Sequence, residues 1–167
     1  LKAKNIYAAD HETKRNFANE LNPSIERMLE SMASGSDELL LVALRDYPKP
    51  EDMIFYHVVN TGIMALAMGL GLGYERSHLL ELGIAAFIHD IGVKNFDMLG
   101  KKDVFSDEEL DRIKIHPSEG ALALGKIDTG LSRKILDAVK QEHERADGSG
   151  YPDGLVSDEI NEYAQII

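Results

Sequence analysis

The sequence predicts an all-α fold, a helical bundle, on three observations. Apolar residues recur at helical spacing in one segment after another. Alternating runs of β-branched or aromatic residues are missing, so no sheet is expected. Gly, Pro and Ser punctuate the segments where helices should start and stop. A length of 167 residues, 44% of them hydrophobic and 28% charged, fits a single globular core.

The elements follow in order. Residues 1–20 are polar and read as a helical lead-in. Asn22-Pro23 offers an N-cap and a first-turn proline, with Ile25, Met28, Leu29 and Met32 on one face. Ser34-Gly35-Ser36 breaks this helix. Ser36 then caps a Leu-rich helix from Asp37 to Arg45, which the Tyr47-Pro48-Lys49-Pro50 stretch stops. A long helix is expected over 51–69, ended by Gly69, Gly71 and Gly73, and another over 75–88, finishing at His89-Asp90. Residues 91–105 read as irregular. Ser106 with Glu109 three residues on is a capping box for a helix to His116, where Pro117 interrupts. A short helix over 118–124 and a Ser132-capped helix to Arg145 come next. The Gly-rich stretch 147–154 is a loop. Ser157 or Asp158 opens a last helix still running at Ile167, so the chain is expected to continue beyond its final residue.

Composition excludes several functions. With 29 acidic against 18 basic residues, the formal net charge is −11, which disfavours a nucleic-acid-coating surface. The charge is uneven: residues 1–50 carry seven basic and eight acidic side chains, and residues 51–167 carry eleven and twenty-one. No cysteine is present, which removes disulfides, thiolate metal sites and cysteine nucleophiles. No apolar run is expected to span a bilayer and no signal peptide is visible, so a cytoplasmic location is expected.

Histidines and carboxylates carry the chemistry. His89-Asp90 closes the apolar Ala-Ala-Phe-Ile segment, placing a nitrogen and an oxygen donor side by side. Alone, such a pair reads more often as a helix-terminal His beside a solvated Asp. His57 lies among Met53, Val58, Ile63 and Met64, and alone reads as a core histidine. His116 precedes Pro117. Glu142 and His143 border the apolar stripe of Leu136 and Val139. His11 and His78 sit in polar segments and read as surface residues. Four of six histidines thus end or interrupt apolar helix faces, and a bundle can converge them on one metal site. Two cations there would suit phosphoryl chemistry.

The order of these residues is specific. His57, then His89-Asp90-Ile91-Gly92, then His116-Pro117, then Glu142-His143-Glu144-Arg145-Ala146-Asp147-Gly148-Ser149-Gly150-Tyr151-Pro152 resembles the HD-GYP family, a branch of the HD superfamily of metal-dependent phosphohydrolases. The resemblance covers residues 51–167, which defines the expected domain, with residues 1–50 as a helical lead-in or linker. It implies a helical bundle of the HD type that hydrolyses a cyclic dinucleotide, most often cyclic di-GMP, in bacterial signalling. Carried over by position, His57, His89, Asp90, His116 and His143 become metal ligands, with Asp90 bridging and central to catalysis. Gly150, Tyr151 and Pro152 would line the substrate groove. Arg145 would approach a phosphate or serve as an ion-pair partner. Divalent metals, iron or manganese, are the implied cofactors. An upstream sensory or receiver domain and a homodimer are the implied partners.

The chain departs from the family pattern at three places. Val93 stands where the family has a lysine that meets substrate phosphate, with Lys94 one step along. Glu142 stands for the first histidine of a His-His pair; a glutamate still binds iron or manganese. Met53 occupies the place of a glutamate that holds a third metal in some members, so two cations, or one, are expected rather than three. The family's last metal-binding aspartate and its basic phosphate-binding residues are expected beyond Ile167. The competing reading is a lapsed HD-GYP module that binds nucleotide or metal and acts as a regulatory domain without turnover.

Overall fold

The computed structural model describes residues 16–35, 38–43, 53–93, 105–127 and 130–167. The Ser36 cap, the Tyr47–Pro50 stop, the 50/51 boundary, Lys94, His11 and most of the 91–105 stretch lie outside the described residues. The architecture is all-α: α1 (Phe17–Ala33), α2 (Glu38–Ala43), α3 (Met53–Gly71), α4 (Arg76–Ile88), a 3-10 turn (His89–Gly92), α5 (Asp107–Lys114), α6 (His116–Ile127), α7 (Arg133–Gln141) and a 3-10 turn (Ser157–Glu159). Among the described residues the only β pairing is the single antiparallel bridge between Asp147 and Val156.

Helix α4 is the axis of the bundle. Leu79 and every residue from Leu82 to Ile88 are buried, so from Leu82 onward the helix is apolar on every side, as a central helix must be. It packs against α1, α3 and α7. The α3 contact is close because Gly62 has no side chain: a Cβ there would stand 2.8 Å from the Phe87 ring. Helix α3 ends in a Schellman motif, with Tyr74 N–H donating to Gly69 O and Gly73 N–H to Leu70 O, and Gly73 at φ +77°.

Several element boundaries differ from the sequence expectation. The cap of helix α1 lies six residues before Asn22: it is Asn16, its side chain accepting the Asn19 N–H at 2.9 Å. Pro23 therefore lies inside the helix. The reason is tertiary. Phe17, Leu21, Ile25 and Leu29 form one buried i, i+4 row facing α4, and burying the first two offsets the hydrogen bond that proline removes. His116 does not end a helix but opens α6, with Pro117 in the first turn, where its missing N–H is harmless. The expected last helix is absent. Residues 157–167 form turns held by side chains: Asn161 N–H donates to Gln141 Oε1 (2.6 Å) and Asn161 Nδ2 to Lys134 O (3.1 Å). Tyr163, fully buried, donates its hydroxyl to Glu81 Oε2 at 3.1 Å and tethers this segment to α4.

Helix α3 also corrects the reading that no segment could span a bilayer. Its 19 residues meet that test by length and composition. Here it forms a wall of the bundle, packed on α4, and carries His57. The Ser106–Glu109 capping box is present with both bonds, Glu109 N–H to Ser106 Oγ at 3.3 Å and Ser106 N–H to Glu109 Oε2 at 2.9 Å.

Candidate metal centre

Four elements deliver the site. The chain leaves α4 at Ile88 and tightens into a 3-10 turn, which brings both His89 and Asp90 inward, 3% and 8% exposed. That turn seats directly on α6: a Cβ on Gly92 would lie 2.0 Å from His116 O and 2.6 Å from Gly120 N. Only glycine permits this approach, and it sets Asp90 against His116. Helix α7 is strongly amphipathic, with Ile135, Ala138 and Val139 buried, so the residues after its last turn emerge beside the same turn. These are Glu142 and His143. His57, on the second turn of α3, closes the cluster from its more open side.

The six sequence-predicted metal ligands come together. His57 Nε2 is 3.2 Å from His89 Nε2 and 3.4 Å from Asp90 Oδ2. His89 Nε2 is 3.2 Å from Asp90 Oδ2 and 3.6 Å from Glu142 Oε2. His116 Nε2 is 3.3 Å from both Asp90 Oδ1 and Glu142 Oε1. The His143 ring packs edge-on against His116, centroids 5.1 Å apart. Two trios each bring one donor atom per residue within 4.8 Å of one another: His57, His89 and Asp90, and His116, Glu142 and His143.

Two inner histidines are oriented by main-chain carbonyls. His89 Nδ1 bonds Ala86 O at 2.8 Å and His116 Nδ1 bonds Ile113 O at 2.6 Å. Each carbonyl belongs to the end of the preceding helix, where helical partners run out. With Nδ1 donating, the Nε2 lone pair of a neutral ring faces the cluster, the arrangement of metal-binding histidines.

The cluster is electrostatically tight. Burial alone would raise the Asp90 carboxyl, but hydrogen bonds from His116 and His89 and the charge of nearby histidines hold it well below the usual carboxylate range. Burial pulls His89 and His116 down, yet their bonds to Asp90, the Glu142 charge and the carbonyl bonds outweigh it, raising them to about 9 and about 10. Burial keeps His57 and His143 below the ordinary histidine value.

The donor set fits divalent cations. His116 Nε2 is buried 3.3 Å from both Asp90 Oδ1 and Glu142 Oε1, so imidazole nitrogen and carboxylate oxygens are packed together away from water, as a shared cation would need. Four imidazole nitrogens and two carboxylates suit borderline and hard ions such as iron, manganese or zinc.

The predicted substrate residues occupy the 144–155 loop. Tyr151 stacks on His143, centroids 4.8 Å apart and planes inclined 27°, and its hydroxyl is pushed up to about 12 by burial and the Glu142 and Asp90 charges. Gly150 presses on the backbone of 143–145, where a Cβ would stand 2.4 Å from Arg145 N. Pro152 follows a cis Tyr151–Pro152 bond at the turn. Arg145 is exposed, with Asp147 3.9 Å away as its ion-pair partner among the described residues. Val93 is buried, its N–H bonded to Asp90 O. A cavity of about 660 Å³ opens beside Glu142, lined also by Glu144, Ser157, Asp158 and Ile160; its lining carries three carboxylates and no lysine or arginine.

Sequence reasoning missed Glu144. Its carboxylate accepts three successive N–H groups, Asp153 (2.7 Å) and Gly154 (3.1 Å) at Oε1 and Leu155 (2.9 Å) at Oε2, and so organises the whole loop. A signal existed: a Gly-rich turn leaves donors that need an acceptor, and an acidic residue stands just before it.

Fold and site together define an all-α domain with a nitrogen/oxygen cluster of the kind that could hold divalent metal. Residues 23–167 match the HD domain family, and the chain belongs to that family. Within it, the chain carries the HD-GYP signature and is similar to proteins named cyclic di-GMP phosphodiesterases. One, from Borreliella burgdorferi, is 35% identical over 115 residues, covering 66% of this chain and 29% of the relative. Another, from Pseudomonas aeruginosa, is 29% identical over 129 residues, 75% of this chain and 31% of the relative. A third, the cyclic di-GMP phosphodiesterase response regulator RpfG of Xanthomonas campestris, is 36% identical over 105 residues, 61% and 27%. The chain spans less than a third of the length of each.

Proposed function

We propose that this domain is a metal-dependent phosphodiesterase that hydrolyses a cyclic dinucleotide, cyclic di-GMP, with His57, His89, Asp90, His116, Glu142 and His143 holding two divalent cations, iron or manganese. The convergence of four histidines and two carboxylates, with His89, Asp90 and His116 buried, carries the reading. The similarity to cyclic di-GMP phosphodiesterases supports the substrate.

Cations held there supply Lewis acidity and lower the pKa of water. The chain's own residues do the rest. Asp90 faces both trios and holds its negative charge between them. Ala86 O and Ile113 O keep the imidazoles of His89 and His116 aimed inward. Tyr151, beside His143, offers a flat face and a neutral hydroxyl to a nucleobase or phosphate. Glu144 keeps that loop in place. The acidic surroundings do not repel an anionic substrate once cations reverse the local sign. The domain is proposed to be joined, on the N-terminal side of α1, to an upstream sensory or receiver unit in the cytoplasm; the relative named a response regulator supports that connection.

The test is metal analysis of the purified protein together with cyclic di-GMP turnover, with ferrous iron or manganese, under reducing conditions. Bound metal, and turnover abolished in His89→Ala and Asp90→Ala, is the expected result. Absence of both metal and turnover overturns the proposal.

A further inference from the structure

The family resemblance places a histidine where this chain has Glu142, and the geometry at this position is not that of a simple ligand exchange. Asp90 divides its two oxygens between the trios: Oδ2 faces His57 and His89, and Oδ1 faces His116. Glu142 repeats that division, with Oε2 toward His89 (3.6 Å) and Oε1 toward His116 (3.3 Å). Its side chain is 3% exposed, so both oxygens are turned into the cluster and not to solvent. An imidazole could not do the same, because one of its nitrogens always points away from the other. We propose that Glu142 is a second bridging carboxylate, so that the two cation positions share both Asp90 and Glu142 and load as a pair.

This rests on the metal centre proposed above and deepens it. Two shared carboxylates have consequences that one does not. The first cation to arrive fixes both carboxylates and thereby presents two oriented oxygens to the second. Loading is then cooperative. An added carboxylate in place of an imidazole also contributes a full negative charge and a hard oxygen, which shifts preference toward manganese and away from zinc.

The experiment is a titration of metal-free protein with manganese(II), followed by electron paramagnetic resonance, on the wild type, Glu142→Gln and Glu142→Asp. Gln keeps the shape and removes the charge; Asp keeps the charge but is one methylene shorter and cannot reach both trios. Circular dichroism of the metal-free proteins establishes that each variant is folded. The expected wild-type result is sigmoidal uptake of two ions per chain with the signal of a spin-coupled pair. In both variants uptake becomes non-cooperative, the second ion binds about tenfold or more weakly, and the coupled signal is lost. Unchanged cooperativity and coupling in folded Glu142→Gln and Glu142→Asp overturn the second bridge and leave the metal centre standing. Failure of the wild type to take up two ions overturns both.

Discussion

Gly92→Ala tests how the fold sets the distance across the site. The added methyl would stand 2.0 Å from His116 O, 2.6 Å from Gly120 N and 2.9 Å from Gly120 Cα. All three are backbone atoms, so no rotamer change relieves the contact. Ordinary van der Waals separation begins at 3.4 Å, and the turn must retreat from α6 by about 1.4 Å. Overpacking costs about 1–3 kcal/mol, and rigid backbone on the opposing side places this case near the upper end. For a chain of this size, about 3 kcal/mol lowers Tm by about 6–12 °C. The same retreat pulls Asp90 Oδ1 away from His116 Nε2, now 3.3 Å apart. Thermal unfolding of the metal-free protein and elemental analysis after metal loading measure the two effects. Gly71→Ala is the control: its Cβ meets nothing within 4 Å and it sits in the last turn of α3, so Tm should hold or rise slightly. A Gly92→Ala protein with Tm within about 2 °C of wild type and full metal content would refute the reasoning.

Further predictions follow from the same contacts. Leu82→Ala empties a fully buried position in α4 and should cost about 2–5 kcal/mol by chemical denaturation; a loss under about 1 kcal/mol would mean α4 is not the core axis. Glu144→Gln removes a charged acceptor from three N–H groups, with an expected cost of about 1–3 kcal/mol. Hydrogen exchange should report it as faster exchange at Asp153, Gly154 and Leu155, with the α4 amides unchanged. In metal-free protein, His89 and His116 titrate at about 9 and about 10, above the ordinary value of about 6.5. Their charge-paired contribution to stability is therefore complete below about pH 6.5 and lost as pH rises through 9 to 10. Metal needs the unprotonated nitrogens, so its affinity should climb over the same window, with protons released on binding. Tm against pH, with and without metal, checks both trends; parallel curves would contradict them.

Much of the molecule was legible because it depends on neighbours a few residues apart. The Ser106–Glu109 capping box and the Ser132 cap involve an i, i+3 relation and appear as read. The apolar stretch before His89-Asp90 announced a buried helix delivering a polar pair to its end. The order of the four histidines, resembling a family pattern, pointed to one centre before any distance was known. Local signals failed where packing overrode them. Asn22-Pro23 looks like a helix start, but Phe17 and Leu21 bury against α4 and carry the helix back to Asn16. The apolar end of the chain reads as a helix, but the Asn161 and Tyr163 side chains bond α7 and α4 and hold it as turns.

The sequence by itself determined the helical class, the caps and the residue types of the centre, because periodicity and capping are properties of adjacent turns. Only the tertiary structure decided how those residues face one another. That Asp90 and Glu142 each divide their oxygens between the same two groups, and that Gly92 lets the 3-10 turn touch α6, are distances between segments far apart in the chain. They are set by side-chain packing around α4, and no pattern along the sequence encodes a contact that depends on three helices docking at once.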